Sequence, residues 1–354
     1  MYNIHDTYSG VQKIRKILLL LSLILFPNLS VFSGQEINLY TARHYKSDKE
    51  LYAKFEKKYG IKVNYISSKG KVLIERIKSE GKDSPADILF VVDAGNLWKV
   101  QESGLFQEIK SKKINSVLPE NLIGGGNKWI AITKRARVIF YNPDITDKKD
   151  IDSLSYEDLS SPKWKNKIVI RSSNNIYNQS LVASLIHHNG EKSTKMWMES
   201  FISNFSRKPQ GNDRAQIIAV SKGEAEIAIA NSYYIGLMLS GKKGEDQKDA
   251  AERVKIHFPN QDNRGTHMNI SGAGILKNSP NYDNAVKFLE FLLTEEAQKH
   301  IINNTFEYSV LKNIDPHPLL KQFGTNFKQD DISIKILGKN NPKAVKIMDE
   351  LKWY

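Results

Sequence analysis

Two adjacent tyrosines, Tyr233 and Tyr234, follow a short apolar run from Ala225 to Ala230. Neighbouring residues on an extended segment point to opposite sides, so a buried strand would bury only one of the two rings. At the end of a strand, where the backbone can turn, both phenols can converge on one point. Two phenolates at one point suit a hard, highly charged cation. The other reading is a pair of amphipathic surface aromatics, with packed rings and wet hydroxyls. The pair by itself leaves both readings open.

Composition narrows the chemistry. The chain has no cysteine, which excludes disulfides, thiolate metal sites, thiol nucleophiles and lipid attachment at an N-terminal cysteine. Histidine, carboxylate and phenolate remain as candidate ligands. No Gly-x-Ser-x-Gly or His-Glu-x-x-His pattern occurs, which disfavours a hydrolase, and no enzymatic activity is expected. Gly124-Gly125-Gly126 lacks the Lys-Ser/Thr of a phosphate-binding loop and reads as a flexible connection. His187 and His188 diverge by about 100° on a helix and so do not share a metal.

Residues 1–33 have the form of a secretory signal. Lys13, Arg15 and Lys16 precede an apolar run from Ile17 to Phe26, Pro27 breaks it, and cleavage is expected after Ser33. The run is short for a membrane span, so the mature chain is expected to be secreted and free in its compartment, without membrane insertion. The net charge of +13 falls to +11 when the three bases and one acid of that segment are removed. The excess is spread through mixed clusters such as Lys46-Ser47-Asp48-Lys49-Glu50. A nucleic-acid reader would concentrate it on one element, so no nucleic-acid partner is expected.

The elements that must position the tyrosines are legible as periodicities. The 354 residues exceed what one core usually serves, so two domains are the default. Strands are expected at 37–40, 61–66 and 85–92. Helices are expected at 47–59, 71–78 (with Val72, Ile74 or Ile77 facing in) and 96–103. This rhythm implies a parallel sheet with covering helices. A strand over 129–141 places Arg135 and Arg137 on one face. A second α/β section follows, with strands at 168–170 and 226–230 and helices at 177–188, 195–205 and 214–222. Residues 241–252 read as a polar loop or helix start. A glycine-dotted strand covers 265–276, a strong amphipathic helix 282–293, and a last helix 342–351.

Several stretches together resemble a known family. They are Leu39-Tyr40-Thr41-Ala42-Arg43-His44-Tyr45, Ala86-Asp87-Ile88, Arg135 through Pro143, Arg171 through Asn178, Asn231-Ser232-Tyr233-Tyr234 and Met268 through Gly274. In order and spacing they resemble the ferric-ion-binding proteins of bacterial iron ABC importers, the Fut-like subgroup of the type II periplasmic binding-protein superfamily. The resemblance covers essentially the whole mature chain.

It implies an α/β fold of two lobes with the ligand in the cleft between them. The N-lobe would hold residues 36–134 and 265–305, and the C-lobe residues 135–264 and 306–354. It implies a solute carrier that delivers iron to an inner-membrane ABC permease, acting as a monomer. The matching ligand positions are Tyr45, Tyr177, Tyr233 and Tyr234, with His44 as an extra ligand or just outside the shell. The cargo would be Fe(III), with Fe(II) an alternative that favours a neutral ligand such as His44.

Four phenolates on Fe(III) leave one negative charge. Arg135 and Arg137 are candidates to balance it, or else form surface ion pairs. Some relatives add an anion, and Ser172, Ser173 and Asn174 precede a helix that could hold one or be simply capped by them. The competing function is the same fold binding another small solute, such as an organic anion or a polyamine.

Overall fold

The structure, a computed structural model, describes residues 35–43 and 45–354. The expected signal segment, its cleavage after Ser33, and His44 lie outside the described residues.

The first half of the chain alternates strand and helix. β1 (Glu36–Thr41), α1 (Lys46–Tyr59), β2 (Lys62–Ser67), α2 (Gly70–Glu80), β3 (Ile88–Val92) and α3 (Ala94–Glu102) follow in order. β1 lies between β2 and β3, parallel to both. Helix α2 buries Leu73, Ile74 and Ile77, whereas Val72 is exposed. At 100° per residue, one face cannot hold both Val72 and the other three.

The sheet is mixed. β4 (Trp129–Tyr141) and β8 (Met268–Ile275) are antiparallel neighbours at its centre, and β8 also runs antiparallel to β3. The thirteen-residue β4 serves two regions. Trp129 to Ala136 pair with β8, and Arg137 to Tyr141 pair with β6 (Ile227–Asn231). β5 (Ile168–Val169) extends that side, parallel to β6. The short strands β7 (Lys255–His257) and β9 (Tyr308–Ser309) pair with β4 as well.

Hydrophobic alternation sorts the core. Around β4 and β6, Ile139, Ile227 and Ile229 pack on one face, Val138, Phe140, Ala228 and Ala230 on the other. A separate core gathers residues from 37–132, 270–310 and 332–337.

Five further helices frame the site and the chain end. They are α4 (Ile176–Asn189), α5 (Asp213–Ser221), α6 (Tyr233–Leu239), α7 (Glu245–Glu252) and, after the helices at Tyr282–Leu292 and Glu295–Thr305, α8 (Ile334–Glu350). Of the loop or helix start expected over 241–252, the structure shows the helix, α7, which begins after Gly244, whose φ of 96° is open to glycine.

Helix α8 begins eight residues earlier than expected and keeps Pro342 inside it. Ser333 caps it, and Ile334, Leu337, Ala344, Ile347 and Met348 are buried along it. That burial outweighs the roughly 3 kcal/mol an interior proline costs. Ile334 and Leu337 join that separate core, and Ala344, Ile347 and Met348 pack with Ile139, Ile227 and Ile229.

Candidate metal centre

The four tyrosines singled out in the sequence line one cavity of about 750 Å3. Tyr45 is the extended residue that leads into α1. Tyr177 occupies the first turn of α4, where the Asn175 side chain accepts a hydrogen bond from the Tyr177 amide at 3.1 Å. Tyr233 and Tyr234 open α6, immediately after β6. The turn from strand to helix replaces opposite-facing side chains by side chains about 100° apart. The two rings stack, with centroids 4.1 Å apart and planes at 30°.

Cations back the phenols. The Arg43 guanidinium carbon lies 4.9 Å from the Tyr45 ring centre, and that of Arg135 lies 5.0 Å from the Tyr177 ring centre. Arg171 approaches Tyr177 from elsewhere, at 5.8 Å. Arg43 is buried between Asp48 and Glu307, at 3.0 and 3.1 Å. Arg135 reaches Glu307 at 3.9 Å and donates to the Ile270 carbonyl.

Arg137 shares the strand face of Arg135 but has another job. It is buried, paired with Asp213 at 3.0 Å and bonded to the Asn231 and Asn178 side-chain oxygens, and it does not line the cavity. Neither arginine forms a surface pair, since both are about 1% exposed. Asp213 also faces Arg171 at 3.7 Å.

Ser172, Ser173 and Asn174 do not line the cavity. The Ser172 hydroxyl donates to Asn174, the Ser173 amide donates to the Trp353 carbonyl, and the cap of α4 falls to Asn175.

Burial dominates the protonation of the site. Lost hydration, then Glu307, raises the Tyr45 phenol well above its usual range, with Arg43 acting against them. Tyr233 is raised in the same way by burial and by Tyr177 and Tyr234, with Arg135 opposing. Burial and Tyr177 raise Tyr234. These three phenols therefore keep their protons until a cation displaces them. Burial works against the Arg135 charge, and the Glu307 carboxylate is among the groups that favour it.

Beside them Asp93, between β3 and α3, has a φ of 77° and accepts from the Gly95 amide and the Asn269 side chain. Burial pushes its carboxyl up to about 7. Among the described residues, no group of three or more His, Asp and Glu side chains could hold a metal.

The sequence reading missed Arg43, Arg171, Asp213 and Glu307. Arg43 and Arg171 lay inside stretches that drew attention, but only the fold turns them on Tyr45 and Tyr177. Glu307 has no local signal, because its partner Arg43 is 264 residues away.

The class of protein follows from this arrangement. Two α/β lobes joined by central crossing strands, with a cavity lined by phenols and guanidiniums beside them, form a periplasmic binding-protein fold, matched by solved structures over 90% of the chain. The chain belongs to the bacterial extracellular solute-binding protein family, whose pattern its residues 40–299 match. It is 50% identical to iron uptake protein A1 of Synechocystis over 319 residues, 90% of this chain and 88% of that one. The structure of Trichodesmium IdiA (FutA) in complex with iron and citrate ligands superposes with a TM-score of 0.86 at 49% identity, covering 90% of this chain and all of that one. The ferric binding protein from Campylobacter jejuni gives 0.83 at 40% identity, with the same coverage.

Proposed function

We propose that this protein captures ferric iron through the phenolates of Tyr45, Tyr177, Tyr233 and Tyr234 and delivers it to an inner-membrane ABC permease. The observation that carries the reading is the convergence of four phenols on one cavity backed by guanidinium groups. Fe(III) is a hard cation that prefers anionic oxygen. Four phenolates would leave the complex with one negative charge. Arg43, Arg135, Arg137 and Arg171 stand against Asp48, Asp213 and Glu307, so four guanidiniums exceed three carboxylates by one positive charge. That excess, with Lys46, Arg214, Lys242 and Lys243 against Glu50 on the cavity wall, offsets the negative charge of the complex. The cationic wall also disfavours a polyamine.

The names of the relatives, an iron uptake protein and ferric binding proteins, support the same cargo. His44, next to Tyr45, is a further ligand or stands just outside the shell. The protein acts as a monomer in the periplasm after loss of residues 1–33. The lobes divide near residues 134/135, 264/265 and 305/306, with α8 shared between them.

The test is a ferric titration of the purified iron-free protein. Tyrosinate–Fe(III) charge transfer should give an orange to red band that saturates at one iron per chain. A colourless protein that binds another solute tightly would reject the reading.

A further inference from the structure

The two central strands wall a second cavity. Along β4, Arg135 lines the tyrosine cavity, while its neighbour Lys134 lines a separate space of about 540 Å3. Along β8, Ser271 lines the first, and Met268 and Ile270 line the second. The pleat sends alternate residues to opposite faces, so the two cavities lie back to back across the same strands. No residue lines both.

Lys134 is the unusual member of the second cavity. It is half-buried, and its Nζ donates to the Gln329 Oε1 at 2.7 Å. Among the described residues no ion pair joins it to a carboxylate. Burial lowers its pKa.

The acids on the cavity wall are engaged elsewhere or exposed. Asp330 is buried and meets Ser184 and His188, Asp315 pairs with Lys321 at 2.6 Å, and Asp331 is exposed. A partly desolvated ammonium with no counter-ion is costly, and an incoming anion would relieve that cost. Met268, Ile270, Tyr308 and Phe327 give the wall an apolar strip, and Ser309, Lys312, Asn326 and Gln329 are among the polar residues of its remainder. The volume falls in the range of small-molecule sites.

We propose that this cavity behind the central strands is a second binding site, for a monocarboxylate with an apolar body, held by Lys134. The carboxylate takes a charge-assisted hydrogen bond from the Lys134 Nζ, and the apolar body lies against Met268 and Phe327. Leu122 and Val310, from the core built around β1–β3, and Tyr308 and Phe327, which pack with Val138 and Phe140, all face this space, so a bound ligand bridges the two. The site is separate from the tyrosines and does not depend on the iron reading.

Calorimetric titration of the purified iron-free protein with octanoate and with 1-octanol tests it. Octanoate should bind at one site per chain, and 1-octanol at least about tenfold more weakly, the worth of one charge-assisted contact. Lys134→Met keeps the stem and removes the charge, and should weaken octanoate by at least about tenfold. With methyl-labelled methionine, octanoate should also move the Met268 signal in the unmutated protein, a readout that survives if the variant fails to fold. Absence of saturable octanoate binding, equal binding by Lys134→Met, or an unmoved Met268 signal would each overturn the proposal.

Discussion

Replacing Arg135 by glutamine should cost the ferric complex about two decades of affinity, by the following Coulomb estimate. The guanidinium carbon stands 5.0 Å from the centre of the Tyr177 ring, and a phenolate carries its charge on the oxygen and into the ring. Summed over the metal and four phenolates, the ferric complex carries one net negative charge, and at roughly 6 Å and an effective dielectric constant of about 20 its attraction to one guanidinium is worth about 3 kcal/mol. A free phenol is neutral at working pH, so nearly all of this appears as lost binding. Glu307 keeps Arg43 at 3.1 Å and is not orphaned, although its second cation disappears. Glutamine is too short to keep the hydrogen bond to the Ile270 carbonyl that Arg135 now serves, a loss common to the iron-free and the loaded protein. Competition against a ferric chelator, followed by the visible band, measures the loss, with thermal melting as the check on folding. A folded variant that binds iron within about threefold of the parent would refute the electrostatic account, since threefold is well under 1 kcal/mol.

Three other outcomes follow from the same geometry. Because Tyr45, Tyr233 and Tyr234 are held protonated before binding, ferric capture should release at least three protons per iron. Affinity should therefore fall as pH falls; proton release in weakly buffered solution checks it, and release of one or none would contradict it. The Asp93 carboxyl titrates at about 7 in the fold and near 4 when unfolded, so its ionisation opposes folding. Its contribution is fully favourable below pH 4 and is lost as pH rises through 7, by about 4 kcal/mol in all. Urea unfolding of Asp93→Asn should show a flatter pH slope over that window than the parent. Gly236 lies where an added Cβ would stand 2.7 Å from the Phe306 ring. Gly236→Ala should therefore destabilise by about 1–3 kcal/mol, displace the helix that opens with Tyr233 and Tyr234, and weaken the ferric band; an unchanged melting temperature would show that the contact yields.

Much of the fold was legible because burial imposes short periods. The strand over Trp129–Tyr141 reads directly from its apolar residues and the Asn142-Pro143 that ends it. The tyrosine pair reads from its place at the end of β6. What the sequence concealed depends on partners far along the chain. Arg43 and Arg135 meet at Glu307 only after residues 36–41, 129–141 and 307 are brought to one place. Asp213 separates the roles of Arg135 and Arg137, which share a strand face and look equivalent by spacing alone. The start of α8 was hidden by Pro342, a helix breaker in isolation that the packing of Leu337 and Ile347 overrides. The sequence also gave no reason to prefer Asn175 over its three neighbours as the cap of α4; the choice follows from which side chain reaches the Tyr177 amide.

The most direct test of the account is a crystal structure of the ferric-loaded protein with the metal located by its anomalous scattering. The account predicts one iron in the cavity beside β4 and β8, bonded to the hydroxyl oxygens of Tyr45, Tyr177, Tyr233 and Tyr234, with Arg135 behind Tyr177. Iron held at another place, or held by carboxylates such as Glu307 with the tyrosines standing off, would contradict it.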